Sequence, residues 1–313
     1  MSIQNEFVSI AMTTYNGERF LRKQLDSIYN QSYKNLEVVV CDDRSNDNTI
    51  QILDEYSKRY GTRVYVNESN IGFLRNFEKA LRLCHGEYIA LADQDDIWLP
   101  NKIERLVNNI SAYTLVFSDA QYIDENDIVF SPSIMKFIGA PNLTGKPFRI
   151  LTFGSYITGC TVLFKRELLS IALPIPEGEC YHDWWLSLIA CKQNGIFYLD
   201  EPLINYRKHD ANTLGGLQQK TQLEGNLFKI YWKQPDRSVF KKAEKRLEKL
   251  SEAYVFNDNE KKQLRIAYEY YHDRLNTKIH LRAFIIALMH QKYILPTWST
   301  AWRIRSAFSV LVK

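Results

Sequence analysis

Leu91-Ala92-Asp93-Gln94-Asp95-Asp96-Ile97-Trp98 is the stretch on which the reading of this 313-residue chain turns. The residues leading into it, Glu87 to Ala92, form an apolar, β-favouring run, so Asp93, Gln94, Asp95 and Asp96 emerge together where a strand ends. Three carboxylates in four residues repel one another. A fold keeps such a cluster mainly where a cation, or a positively charged ligand group, balances it. Alternate residues of an extended chain end face one side, so Asp93 and Asp95 can address a single ion and the group bound to it. Oxygen ligands in small number suit Mg²⁺ or Mn²⁺ held partly by substrate phosphates. The competing reading is an acidic turn followed by a helix that begins near Pro100, with an aspartate as its N-cap.

Upstream the same strand-then-polar pattern recurs. Phe7 to Met12 reads as a buried strand ending in Thr13-Thr14-Tyr15-Asn16-Gly17, and Phe20, Leu21, Leu25 and Ile28 then fall at helical spacing along Glu18 to Tyr29. Leu36 to Cys41 is nearly continuous in β-branched and apolar residues, as expected of a strand covered on both faces, and runs into Asp42-Asp43 and a helix from Ile50 to Tyr60. Arg63 to Val66, Asn70-Ile71-Gly72 and Phe73 to Leu83 repeat strand, turn and helix. Strands alternating with helices imply βαβ units and a mainly parallel sheet, in which ligands bind at the carboxyl ends of the strands. Thr13–Tyr15, Asp42-Asp43 and Asp93–Asp95 all sit at such ends, so three distant polar clusters meet at one edge. That convergence favours a functional reading of the acidic cluster over the acidic turn. No Gly-x-Gly-x-x-Gly follows the first strand and no P-loop motif occurs, which argues against a dinucleotide fingerprint and a Walker site.

Beyond Leu115 to Asp119 the periodicity weakens, and Pro132, Gly139, Pro141, Gly145 and Pro147 mark a loop-rich stretch of the kind that shapes a substrate pocket. Gly159 to Phe164 is a strand candidate and Arg166 to Ala172 a short helix. Tyr181-His182-Asp183-Trp184-Trp185 opens a helix over Leu186 to Gln193, and two strand segments follow, Ile196 to Leu199 and Ile204 to His209, with Pro202 between them. From about Thr213 the chain reads as helical, with Lys241 to Leu250 and Glu260 to Tyr271 rich in helix formers. The expected architecture is an α/β domain over residues 1–212 with a mainly parallel sheet flanked by helices, followed by a helical region over 213–313.

Hydrophobic content of 45% and charged content of 24% are those of an ordinary globular protein, and a formal net charge of +4 does not by itself imply nucleic acid. Its distribution says more. From Arg274 to Lys313 there is no Asp or Glu, against seven Lys and Arg, and Phe284, Ile285, Ile286, Leu288, Met289, Trp298, Trp302 and Phe308 lie among them. Such a basic amphipathic end points to an anionic membrane surface, or else to a basic helical segment packed on the core or a partner. Cys41, Cys84, Cys160, Cys180 and Cys191 are odd in number, scattered and without a Cys-x-x-Cys pair, which suggests neither disulfides nor zinc. With no signal-like start and no long apolar run, the expectation is a cytoplasmic protein, peripheral on the inner face of the cell membrane.

The assembled motifs resemble the family 2 inverting glycosyltransferases of the GT-A fold. The matches are Met12-Thr13-Thr14-Tyr15-Asn16, Val40 to Asp47, Asn70-Ile71-Gly72 with Arg75-Asn76, Ala92 to Asp96, His182-Asp183-Trp184-Trp185, and Tyr206 to His209 with Asn212. Each is weak alone, and in this order and spacing the set is specific. The resemblance implies that Thr13, Tyr15, Asp43 and Arg75 line the nucleotide base pocket, that Asp93 touches the ribose, and that Asp95 binds an Mg²⁺ or Mn²⁺ bridging the diphosphate. His209 would approach the same diphosphate or metal from a mobile loop, and Asp183 would be the general base. Asp96, Trp98 and Trp184 are expected to contact sugar or acceptor, although a Trp near a helix start is as often core. Taken residue by residue, Asp43 is also a good helix cap, Arg75 a solvated helix residue, and Asp183 a cap for its own helix.

Arg44 departs from the family pattern, standing where glycine is common in Asp-Asp-Gly-Ser, and there it would crowd or contact the nucleotide. The Asp-Gln-Asp-Asp-Ile-Trp and His-Asp-Trp-Trp forms are similar to bacterial enzymes that build O-antigen, capsule or rhamnose-containing polysaccharides. The implied donor is a nucleotide sugar, dTDP-rhamnose or a UDP-hexose, and the implied acceptor a glycan or lipid-linked oligosaccharide. Two other classes also place acids at a sheet edge: a nucleotidyltransferase acting on sugar phosphates, and a non-catalytic nucleotide-sugar-binding protein. The first usually carries a Gly-rich N-terminal loop with a basic residue, which this chain lacks.

Overall fold

The computed structural model describes residues 6–177, 181–210, 237–277 and 279–294, together with Ala307 and Val310. The boundary expected near Thr213, Asn212, Cys180, and the Trp298, Trp302 and Phe308 part of the basic end lie outside the described residues.

The first half follows the strand–helix alternation. β1 (Val8–Thr14), α1 (Glu18–Tyr29), β2 (Leu36–Asp42), α2 (Thr49–Tyr60), β3 (Arg63–Val66), α3 (Phe73–Arg82) and β4 (Tyr88–Ala92) succeed one another. β1 pairs in parallel with both β2 and β4, and β2 with β3. Every residue of β1 is buried, because side chains alternate between two cores. Ile10, Val38, Val40 and Ala90 pack with Leu21, Leu25 and Leu53 of α1 and α2, while Ala11, Val39, Ile89 and Leu91 pack with Phe77 and Leu81 of α3.

The second half adds antiparallel strands to this parallel half, so the sheet as a whole is mixed rather than purely parallel. The rest of the chain runs through β5 (Ile97–Trp98), α4 (Lys102–Ile110), β6 (Leu115–Ile123), β7 (Val129–Ser131), α5 (Ile134–Phe137), α6 (Phe148–Phe153), β8 (Val162–Lys165), α7 (Leu169–Ala172), α8 (His182–Lys192) and β9 (Ile196–Arg207). The nine-stranded sheet is mixed, in the order β3-β2-β1-β4-β8-β6-β9-β5 with β7 on β6. β8 is inserted between β4 and β6 and runs antiparallel to both; β5 is antiparallel to β9 and β7 to β6, while β6 and β9 are parallel. Antiparallel neighbours need no crossover helix, and the loop-rich stretch after β6 carries only the short α5 and α6. The two segments expected on either side of Pro202 are one strand. Pro202 sits opposite Asp119 at a register shift, the position where a residue without an N–H is tolerated.

The C-terminal helices α9 (Arg237–Glu252), α10 (Asp258–Asn276) and α11 (Leu281–Ile294) share a core with the α3 side of the sheet. Leu247, Leu264, Tyr270 and Ile286 join Phe153, Trp185 and Leu186 there, and Tyr271 donates its hydroxyl to the Phe153 carbonyl. Among the described residues no helix is long and apolar enough to cross a membrane.

Candidate active site

The carboxyl ends of β1, β2 and β4 open into a cavity of about 780 Å³, closed on its far side by the start of α8 and by the segment after β9. Local chemistry holds the three strand ends in place. Asp42, wholly buried, accepts from the Thr14 hydroxyl at 2.7 Å and from the Ser45 backbone N–H at 2.8 Å and hydroxyl at 2.6 Å, so the first acid of the pair is a fastener. Asp43, next along, faces the cavity. Its carboxylate accepts from the Ile71 and Gly72 backbone N–H groups at 2.8 and 2.9 Å and from the Asn67 amide at 2.9 Å. A carboxylate has about four lone-pair sites, so one remains for a ligand N–H. Gln94 joins the first strand end to the acidic turn: its amide accepts from Tyr15 N–H at 2.8 Å and donates to Tyr15 C=O at 3.0 Å.

Arg44 has φ of 66°, which explains why glycine is usual there: the left-handed region costs any residue with a Cβ. Its side chain is exposed and donates to the Glu68 carbonyl, and it is not part of the cavity wall.

The acidic turn divides in two. Asp95 and His209 face the cavity together, with His209 Nε2 2.8 Å from Asp95 Oδ2 and the imidazole 5.0 Å from the Phe20 ring. Asp93 and Asp96 point toward Cys160, their ligand atoms and its sulfur all lying within 4.8 Å of one another. Burial, and then the neighbouring carboxylates, push Asp93 and Asp96 well above the usual carboxylate range. Asp183 lines the same cavity and adds to the push on Asp93. Burial also pushes the Cys160 thiol up, so it stays protonated. Behind this inner group lies Lys102, wholly buried, its ammonium 2.7 Å from the Cys160 carbonyl and 3.1 Å above the Trp98 ring. Arg207, also wholly buried, donates to the Asp95 carbonyl at 2.7 Å and carries the backbone N–H that Asp96 accepts at 3.0 Å. The Arg207 guanidinium itself pairs with Asp127, so Lys102 is the cation that bears on the inner acids, while Arg207 holds the turn through the Asp95 carbonyl and its own backbone N–H. The outer pair, Asp95 and His209, offers carboxylate and imidazole to the cavity, a donor set suited to a divalent cation.

Asp183 lies in the first turn of α8, one residue inside the helix rather than at its cap. Its two oxygens accept from Trp184 N–H at 2.7 Å and Gly159 N–H at 3.0 Å, and negative charge there is favoured by the helix dipole. Gly159 must be glycine: a Cβ would stand 2.9 Å from His182 Nε2 and 3.5 Å from Asp183 Cβ. His182 is stacked 3.9 Å from Phe77, its ring nitrogens buried without a partner, and burial lowers its pKa so that the ring is neutral.

Of the residues singled out from the sequence, Thr13, Tyr15, Asp43, Asp93, Asp95, Asp183 and His209 line this one cavity. Arg75 does not. It spans α3 and the segment before α8, bonded to Glu78 at 2.6 Å, the Ile175 carbonyl at 3.0 Å and Glu177 at 3.1 Å. Asp96, Trp98 and Trp184 are buried in the core and absent from the cavity wall. Trp184 donates to the Leu151 carbonyl and Trp185 to the Ala172 carbonyl, so both indoles turn away from Asp183. Sequence reasoning missed Gln94 and Gly159 as positioning residues and Arg19, Glu125, Tyr206 and Asp210 as cavity wall. The Gln within Asp-Gln-Asp-Asp and the Tyr that opens Tyr206 to His209 were the signals among them.

Comparison with known proteins gives the family and the fold. Residues 9–171 match the family described as Glycosyl transferase family 2. The chain is 32% identical over 222 residues to the dTDP-rhamnosyl transferase RfbG of Shigella flexneri, covering 65% of this chain and 73% of that protein. It is 34% identical over 196 residues to the UDP-Glc:alpha-D-GlcNAc-diphosphoundecaprenol beta-1,3-glucosyltransferase WfgD of Escherichia coli, covering 60% and 71%. The fold is that of TarS from S. aureus, solved in complex with UDP-GlcNAc, with a TM-score of 0.61 at 16% identity over 97% of this chain and 88% of that one. It also matches the mannosyltransferase PcManGT from Pyrobaculum calidifontis, solved with GDP-Man and Mn²⁺, with a TM-score of 0.54 at 17% identity over 98% and 86%. The chain belongs to glycosyl transferase family 2 and is a glycosyltransferase with the GT-A fold.

Proposed function

We propose that this family 2 glycosyltransferase moves a sugar from a nucleotide sugar to a glycan or lipid-linked acceptor in bacterial surface polysaccharide synthesis, with inversion at the anomeric carbon and with a divalent cation. The observation that carries this reading is the charge of the cavity. Among its described lining residues Asp43, Asp93, Asp95, Glu125, Asp183 and Asp210 carry carboxyls, whereas Arg19 is the one Lys or Arg and is itself paired with Glu125 at 2.7 Å. A diphosphate enters such a wall only with added positive charge. Asp95 and His209 would hold Mg²⁺ or Mn²⁺, which when bound supplies positive charge at the departing diphosphate.

The other roles follow from position. Tyr15, about half exposed at the cavity edge, offers a face for the base, and the remaining acceptor site of Asp43 suits its imide N–H. Asp93 faces the ribose. Asp183, held by Gly159 N–H and Trp184 N–H, accepts the proton of the acceptor hydroxyl as that oxygen bonds to the anomeric carbon. The bond from that carbon to the phosphate oxygen breaks in the same step, and its electron pair leaves with the nucleoside diphosphate. A single displacement inverts the centre and needs no enzyme nucleophile. The names of the two relatives support dTDP-rhamnose or a UDP-hexose as donor, and the lipid diphosphate in one of them supports an acceptor at the inner face of the cell membrane.

The test is nucleoside diphosphate release from a panel of UDP-, dTDP- and GDP-sugars with Mn²⁺, then with EDTA. Release from at least one donor, stopped by EDTA, is expected. Release of pyrophosphate instead would mean nucleotidyl transfer, and no release from any donor would favour a binding protein.

A further inference from the structure

Helix α11 is apolar on two sides. Ala283, Ile286 and Ala287 face inward and complete the core beside α10. Leu281, Ile285 and Met289, at four-residue spacing, form a second stripe that is 57%, 47% and 72% exposed, and Ile279 just ahead is 71% exposed. Arg282 and Lys292 are exposed beside it, and Arg282 comes within 3.8 Å of Glu269 on α10. A surface helix of a globular protein normally turns polar residues outward, so a second, exposed apolar stripe opposite the core face is one that something covers.

The charge of the helix itself says what covers it. Leu281–Ile294 carries Arg282 and Lys292 and no Asp or Glu, and the sequence from 274 to 313 as a whole holds seven Lys and Arg and no acid. Two copies of this face brought together would oppose like charge, whereas an anionic bilayer offers both an apolar interior and compensating phosphates. We propose that the outer face of α11 is a membrane-docking surface, with Leu281, Ile285 and Met289 seated at the headgroup–acyl boundary of an anionic bilayer and Arg282 and Lys292 at the level of the phosphates. The proposal rests on the membrane-surface acceptor argued above and names the face that meets it. Arg149 of α6 donates to Tyr293 of α11 at 3.2 Å, and α6 packs on α8, so docking here ties the helix that carries Asp183 to the membrane plane.

The test is co-sedimentation of the full-length protein with vesicles of phosphatidylcholine containing phosphatidylglycerol, and with phosphatidylcholine alone, at low salt. Wild type should partition onto the anionic vesicles. The double variant Ile285→Ser with Met289→Ser should lose at least about tenfold in partitioning, from the apolar area removed. Arg282→Gln with Lys292→Gln should lose affinity and salt dependence together. Donor hydrolysis by each variant at the wild-type rate shows that the fold is intact. Wild type and the Ser variant binding equally well would overturn this face while leaving the membrane reading standing. Wild type ignoring both kinds of vesicle would overturn both, and so would a dimer broken by the Ser variant without vesicle binding.

Discussion

Asp183→Asn separates the chemistry of the carboxylate from its structural work. The oxygen that accepts Trp184 N–H survives the change, but the amide nitrogen meets Gly159 N–H donor to donor in place of the 3.0 Å bond. Loss of a hydrogen bond to a charged acceptor costs about 1.5 kcal/mol, and removing negative charge from the first turn of α8 costs a further ~0.5 kcal/mol. A variant roughly 2 kcal/mol less stable still folds, with a Tm lower by a few degrees. The loss of a general base reduces kcat by roughly 10²- to 10⁴-fold, which is about 3–5 kcal/mol on the barrier. The two effects are read separately, by thermal unfolding with donor binding on one side and by nucleoside diphosphate release in the presence of acceptor on the other. If the variant folds, binds donor and transfers sugar at more than about a tenth of the wild-type rate, Asp183 is not the base and its service to the helix start is its whole role.

Three further outcomes are expected. Gly159→Ala drives a methyl to 2.9 Å from His182 Nε2 and displaces the N–H that holds Asp183, so kcat should fall about tenfold or more with donor affinity nearly unchanged; an unchanged kcat would show that Asp183 needs no such support. Arg75→Met breaks the ties to Glu177 and the Ile175 carbonyl and should lower stability by about 1 kcal/mol without a large change in donor affinity, whereas a tenfold loss of donor affinity would return Arg75 to the base pocket. Asp93 and Asp96 are raised in the fold, Asp96 from 3.8 to about 7, so the folded protein keeps protons that the unfolded chain releases and ion-free stability falls as pH rises through that window. Lys102, lowered to about 7, acts in the opposite sense above it, because there the unfolded chain holds the extra proton and this contribution to stability rises with pH. An ion on Asp95 lies beside Asp93 and Asp96 and is favoured when they ionise, so the rise in Tm on adding Mn²⁺ should be larger at about pH 8 than at about pH 5; a pH-independent rise would show that the ion does not sit beside these two acids.

The strand ends were legible because burial on both faces leaves a local signature: β1, β2 and β4 are near-continuous apolar runs, each ending in residues that line the cavity or fasten it. What depends on distant partners was not. β8 enters the sheet between β4 and β6, a pairing fixed by packing against strands more than forty residues away in the chain rather than by its own four. Trp98 and Trp184 carry the same indole whether it faces a sugar or a core; the Lys102 ammonium over one and the Leu151 carbonyl beside the other decide it. The support of the acidic turn likewise comes from Lys102 on the next helix, whose charge bears on Asp93 and Asp96, and from Arg207 more than a hundred residues on, which bonds the Asp95 carbonyl. Gly159 reads as an ordinary strand residue until His182 is placed against it.

The central claim is that the cavity between the acidic turn and Asp183 binds a nucleoside diphosphate through a divalent ion at Asp95 and His209. An anomalous-scattering crystal structure of the full chain with Mn²⁺ and UDP or dTDP measures this directly. The account predicts an Mn²⁺ peak bonded to the Asp95 carboxylate, with the base between Tyr15 and Asp43 and the diphosphate on the side of His209. A peak held instead by Asp93, Asp96 and Cys160, or a nucleotide bound outside this cavity, would contradict it.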